Sequence, residues 1–144
     1  MSSCSYRNRH MTIQLLINRN AKQTIRKHLK KEQLSASEYT YVDRWLRESR
    51  TVKCYINRDD ETICSFALLS KMDYDPEKKH TNPCMLDFIY TAPKYRGSHR
   101  AYDLIMHLKE REQMTAYCSN SMSENLFEKA GFSSGEHMHM YRYP

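Results

Sequence analysis

The residues best suited to chemistry stand together at Arg96, Gly97, Ser98, His99 and Arg100. Two guanidinium groups, a hydroxyl and an imidazole make a polar, basic loop around one glycine. A helical pattern begins directly behind it: Ala101, Leu104, Ile105 and Leu108 fall at i, i+3, i+4 and i+7, one helix face. A helix start leaves about four backbone N–H groups without intrahelical partners, and its dipole is positive there. A loop with two arginines at that point is an anion site. His137 and His139 alternate along a predicted strand, which puts two imidazoles on one face. No third ligand accompanies them, so no metal is expected, and they read as exposed polar positions opposite Met138 and Met140. Cys4, Cys54, Cys64, Cys84 and Cys118 are odd in number and lack the two-residue spacing of a zinc knuckle or redox pair. They read as small buried hydrophobes in a reducing compartment.

The elements that must position the loop lie on either side of it. Met85, Leu86, Phe88, Ile89 and Tyr90 form an apolar, aromatic run that reads as a buried strand from Cys84, broken by Pro93. Strand, short basic loop and helix therefore follow one another, the helix predicted from about Ser98 to Glu112. Upstream, Thr12 to Ile17 reads as a strand. A basic helix follows from Ala21 to about Lys31, capped by Asn20, with Ile25 and Leu29 inward. Ser35 or Ser37 starts a second helix, with Tyr41, Trp45 and Leu46 inward. Thr51 to Ile56 and Thr62 to Lys71 make an antiparallel hairpin around the polar turn 57–60. Asp73 to Asn82 is a charged loop. Thr115 to Cys118 is a short strand, Ser121 to Glu124 a capping box opening a helix, Gly131 its C-terminal cap, and Glu136 to Tyr143 a last strand. A hairpin mixed with crossover helices predicts an α/β fold, a mixed and mostly antiparallel central sheet flanked by helices. Residues 1–10 are expected to be flexible and 11–144 to form one domain.

Pro93-Lys94-Tyr95-Arg96-Gly97 with its following helix resembles the acyl-CoA loop of the GNAT acetyltransferases. That family's signature is Arg or Gln, two residues, Gly, one residue, then Gly or Ala. Arg96 takes the first place, His99 the first Gly and Ala101 the last. The segment Asn120 to Phe132 is similar to the family's Asn, short helix and closing Gly-Phe. The resemblance spans roughly residues 62–142. It implies a single-domain GNAT-like fold whose middle strands part to admit a pantetheine arm. It also implies acetyl-CoA as cosubstrate, with backbone groups of Ile89, Tyr90 and Thr91 pairing with pantetheine. Loop N–H groups of Arg96, Gly97, Ser98, His99, Arg100 and Ala101 would hold the pyrophosphate, and Asn120 and Phe127 would lie by the far end of the arm. Three positions depart from the pattern. His99 replaces a glycine, which adds a ring that either pairs with phosphate when protonated or narrows the site. Phe127 replaces the Tyr that often protonates the leaving thiolate, leaving Tyr90 and Tyr117 as stand-ins. Met85 replaces a frequent general-base Glu. Asp87, two residues on and so on the same strand face, is the catalytic residue the resemblance leaves for that role.

The chain has 144 residues, 40% hydrophobic and 28% charged, with a net charge of +6. That suits one globular core and excludes a disordered chain. No apolar run reaches the ~20 residues of a membrane span, and the basic N-terminus lacks the apolar core of a signal peptide. An intracellular protein, cytoplasmic or otherwise, is expected. The positive charge suits a polyanionic cosubstrate without requiring nucleic acid. The function expected is acetyl-CoA-dependent N-acetyl transfer to an amine on a small molecule or protein. The alternative is a catalytically impaired GNAT-fold binding protein with weak or no CoA binding, motivated by His99 and Phe127. A homodimer is left open.

Overall fold

The computed structural model describes residues 11–97, 99–117, 121–134 and 140–143. The predicted flexible segment 1–10 lies outside them. Seven strands form one sheet: β1 (Met11–Ile17), β2 (Val52–Asp59), β3 (Thr62–Lys71), β4 (Pro83–Thr91), β5 (Gln113–Tyr117), β6 (Ser133–Ser134) and β7 (Met140–Arg142). Their spatial order is β1-β2-β3-β4-β5-β7-β6. Every neighbouring pair is antiparallel except β4 and β5, which are parallel. β3 is buried without interruption from Ile63 to Ser70, because the sheet is covered on both faces there.

Helices α1 (Asn18–Leu29) and α2 (Ala36–Leu46) cover one face. Ala21, Ile25, Val42 and Trp45 pack with Cys54, Ile56, Phe66, Leu68 and Tyr90. Helices α3 (Arg100–Lys109) and α4 (Ser121–Lys129) cover the other. There Leu104, Ile105, Leu108, Phe127 and Ala130 pack with Tyr55, Ala67, Leu69, Leu86 and Met114. The loop before α3 contains one 3₁₀ turn, Pro93–Tyr95.

Several local expectations need correction. Asn20 is no cap: α1 starts at Asn18 straight out of β1, and the Asn18 side chain accepts a hydrogen bond from the Val52 N–H at 3.0 Å. Ser35, rather than Ser37, caps α2, in a capping box with Glu38. Tyr41 faces outward, and Val42 takes the buried place one turn before Trp45. The polar run 57–60 is not all turn. β2 continues to Asp59, with Asn57 buried opposite Ser65. The helix after the basic loop is shorter than predicted at both ends, and β5 begins at Gln113. The predicted strand 136–143 is described only at Met140–Arg142, where β7 lies. Gly131 does close α4, at φ +95°, with the Phe132 N–H donating to the Phe127 carbonyl at 2.9 Å.

Candidate active site

β4 positions the site because it changes partners along its length. From Pro83 to Leu86 it pairs with β5, the last rung being Leu86–Ala116. Beyond that, Asp87 to Thr91 keep β3 on one side and pair with no strand on the other among the described residues. β5 meanwhile carries on to Tyr117, which pairs only with β7. The two strands therefore part at Asp87. On the opened side the backbone from Ile89 to Thr91 pairs with no strand among the described residues, and the Thr91 carbonyl is taken by the Arg96 side chain.

The parting coincides with a β-bulge. Leu68 pairs with Phe88 and Leu69 with Leu86, so Asp87 is the extra residue. A bulge breaks the alternation of faces. Leu86 packs on the α3 side, whereas Phe88 and Tyr90 pack on the α2 side. Phe88 stacks there on Tyr41, with ring centroids 6.3 Å apart. Opposite the bulge, the Leu69 carbonyl accepts the Trp45 indole N–H at 2.9 Å, which ties α2 to this point of the sheet.

Asp87 and Met85 open into one cleft of about 360 Å³. Its wall comes from the end of α2 and the turn after it (Arg44, Trp45, Glu48, Arg50), the end of β3 (Ser70, Lys71) and the loop behind it, including Tyr74. Asp87 Oδ2 is buried and has no hydrogen-bond partner. Burial pushes the Asp87 carboxyl up to about 6, helped by Glu48 and opposed by the Ser70 hydroxyl and Arg44. The loop wall is held from beneath. Arg142 donates to both oxygens of Asp75 at 2.6 and 2.7 Å and to Glu77 at 2.9 Å. Asp75 also accepts the backbone N–H groups of Glu77, Lys79 and His80. The Arg142 guanidinium keeps the Asp75 carboxyl far below the usual carboxylate range.

At the other end of β4 lies a second cleft, of about 280 Å³, lined by Thr91, Arg96, Gly97, His99, Arg100 and Ala101 with Leu126 from α4. Gly97 has φ +84°, and a Cβ there would meet nothing within 4 Å, so its backbone angle alone favours glycine. His99 is the N-cap of α3 at φ 62° and ψ 22°, a left-handed conformation. The family's glycine at this place thus has a conformational reason, and the histidine adopts the same strained geometry. Its ring is exposed. The side chain of Arg96 folds back: Nε donates to the Thr91 carbonyl at 2.9 Å and the guanidinium lies over the Tyr90 ring.

Arg100 corrects the picture of two arginines facing one anion. Its side chain is buried, lies over the Tyr95 ring at 5.2 Å and approaches Asp59 at 3.7 Å. Phe127 is buried against Phe132 in an edge-on contact and is not on the cleft wall, where Leu126 stands instead. Tyr90 is committed elsewhere. Its hydroxyl donates to Glu32 at 3.2 Å, and Glu32 meets His28 at 3.3 Å, which fastens the end of α1 to β4. Tyr117 is exposed at the end of β5, on the face that Thr115 shares with Met85. Ser98, Asn120, His137 and His139 lie outside the described residues. Sequence reading missed Arg44, Glu48, Ser70 and Lys71. They come from three separate elements and carry no common motif.

In this chain a strand parts from its neighbour at a bulge and runs through a glycine-containing loop into a helix. A family model for the GNAT acetyltransferases matches residues 20–132, and the chain belongs to that family. It is an acetyl-CoA-dependent N-acetyltransferase. Solved structures share its fold. The aminoglycoside N-acetyltransferase AAC(6')-Iy, in complex with a bisubstrate analogue, is 22% identical over 94% of this chain and 99% of its own, with a TM-score of 0.60. The aminoglycoside 6'-N-acetyltransferase AAC(6')-IG from Acinetobacter haemolyticus is 17% identical over 88% and 94%, with a TM-score of 0.58. AtaTR bound with acetyl-CoA is 12% identical over 94% and 94%, with a TM-score of 0.65. No curated protein matches the chain at a significant level. Among the described residues no helix is long and apolar enough to cross a membrane.

Proposed function

We propose that acetyl transfer takes place where β4 leaves β5, with Asp87 as the general base. The pantetheine arm lies along the opened side of Ile89, Tyr90 and Thr91. The pyrophosphate sits against the N–H groups at the start of α3 and the loop from Arg96 to Ala101. This sets the thioester near Asp87, and the acceptor enters from the α2 side through the cleft of Asp87 and Met85. Asp87 takes one proton from the incoming ammonium, directly or through a water. The neutral amine attacks the thioester carbonyl, a C–N bond forms, the C–S bond breaks, and the CoA thiolate leaves. The attacking nitrogen, cationic once the C–N bond forms, gives its second proton to solvent; Tyr117, exposed on the sheet face of Met85 and Thr115, protonates the thiolate and is reprotonated from solvent.

One observation carries the reading: the carboxyl with the raised pKa is also the bulge residue at the parting of the strands, with a buried oxygen that nothing engages. Burial does here what a general base needs, since a base works best with a pKa near the working pH. The reading is tested by adding acetyl-CoA and following thermal unfolding. A ligand at about a hundred times its Kd adds about 2.7 kcal/mol of stability, so a clear rise in Tm is expected, accompanied by thiol release when an amine is supplied. A Tm unmoved by millimolar acetyl-CoA would leave the impaired, non-binding alternative in its place.

A further inference from the structure

The walls of the acceptor cleft carry charges that proton abstraction does not use. Three cations, Arg44, Arg50 and Lys71, and three carboxylates, Glu48, Asp73 and Asp87, line it. Arg50 is committed: it bonds Asp73 through Nε and Nη2 at 3.1 and 2.9 Å and meets Glu48 at 3.5 Å. Arg44 makes no salt bridge among the described residues: its guanidinium lies 5.4 Å over the Tyr41 ring and its charge acts on Asp87 only from a distance. Lys71, at the end of β3, makes no ion pair among them either. Glu48 and Asp73 thus share Arg50, while two exposed cations face the same space as the base.

We infer that the acceptor is a small amine that carries its own carboxylate, with the amine at Asp87 and the carboxylate on Arg44 and Lys71. This inference rests on Asp87 being the base. Three features support it. A polycationic acceptor gains from a cleft with surplus acid, whereas here the uncommitted charges include two cations. A carboxylate gains charge-assisted hydrogen bonds from both an arginine and a lysine. The cleft, at about 360 Å³, is near the small end of ligand sites, which suits a molecule of amino-acid size. Trp45, Met72, Tyr74 and Met85 supply an apolar lining for its side chain. Ordinary amino groups are protonated at neutral pH, so such an acceptor arrives as a zwitterion. It loses its ammonium proton to Asp87 and keeps its carboxylate charge through the reaction.

The test uses the full chain with acetyl-CoA and follows thiol release. The acceptors are the L-amino acids, the matching amino-acid amides, phosphoethanolamine, spermidine and kanamycin. At least one amino acid should be acetylated, with kcat/KM about thirtyfold or more above its amide and about a hundredfold above spermidine and kanamycin. Arg44→Gln and Lys71→Gln should each raise KM for that amino acid about tenfold, change kcat little, and leave acetyl-CoA affinity by calorimetry as in the wild type. Both side chains are exposed, so the variants should fold, which an unchanged Tm verifies. Spermidine or kanamycin as the best acceptor, equal rates with acid and amide, phosphoethanolamine alone being used, or no acceptor used despite bound acetyl-CoA would each overturn the inference and leave the cosubstrate cleft standing. Absence of acetyl-CoA binding in calorimetry would instead overturn the reading of the cleft itself.

Discussion

Replacing Asp87 by Asn should make the protein more stable and less active at once. Asn has nearly the shape of Asp but keeps the neutral state that the buried site favours. In the wild type the Asp87 carboxyl rises from an ordinary 3.8 to about 6. The native state therefore holds this proton more tightly than the unfolded chain does. Stability falls as pH rises between about 4 and 6 and is level above that range. At about 1.4 kcal/mol per pH unit, the cost to the wild type at pH 7 is at most about 3 kcal/mol, and water reaching the cleft reduces it to about 1–2 kcal/mol. Asp87→Asn should recover that amount at pH 7 and almost none of it near pH 4, where the wild-type carboxyl is already neutral. Urea unfolding at both pH values reads the difference. The same change should lower kcat about 10²- to 10⁴-fold, the usual contribution of a general base, and abolish the acid limb near pH 6 in the kcat/KM profile. A variant less stable than the wild type at pH 7, or one with full activity, would refute the assignment. The first result would mean that the charged form is stabilised by partners; the second, that the amine loses its proton elsewhere.

The other predictions concern how the site is held. Tyr117→Phe should lower kcat about a hundredfold if its hydroxyl protonates the thiolate, with stability unchanged; an unaltered kcat in a thiol-release assay removes it from the mechanism. His99→Gly should stabilise the fold by about 0.5–1 kcal/mol in chemical denaturation, because relief of a left-handed residue of about 1–2 kcal/mol outweighs the added freedom of glycine in the unfolded chain. A loss of stability would show that the exposed ring makes a favourable contact. Asp75→Ala should cost about 3 kcal/mol by leaving buried Arg142 with Glu77 as its remaining carboxylate partner. Because Arg142 depresses the Asp75 pKa, this carboxylate's stabilisation is present above about pH 4 and lost as the solution turns more acid, opposite in slope to Asp87. Trp45→Phe should cost about 1–3 kcal/mol by leaving the Leu69 carbonyl unbonded, measured by the urea midpoint.

What the chain determined by itself is local. The apolar run before Pro93, the Arg96-Gly97 loop and the Leu104, Ile105, Leu108 stripe each sit within a few residues, so pattern and turn chemistry specify strand, loop and helix with no long-range information. The same is true of the β2–β3 hairpin and the Gly131 cap, whereas the local pattern fits Ser35 and Ser37 alike as the start of α2. The resemblance carried by those segments led to the family and the cosubstrate. Boundaries were less legible where a tertiary contact overrides local propensity. Asn18, not Asn20, marks the start of α1 because its side chain reaches β2 across 34 residues. Asn57 is strand, not turn, because β3 pairs with it. The site was decided still further from the sequence. No local pattern shows that one extra residue enters β4 opposite Leu69, yet that bulge turns Phe88 and Tyr90 toward α2 and sets Asp87 where the strands part. Nor does sequence reveal that Arg100 turns inward to Tyr95 and Asp59, or that Phe127 is core. Arg44, Lys71 and Asp87 meet only because α2, β3 and β4 pack together. A residue's type is written in the chain, but its charge partners and desolvation are properties of neighbours that only folding supplies.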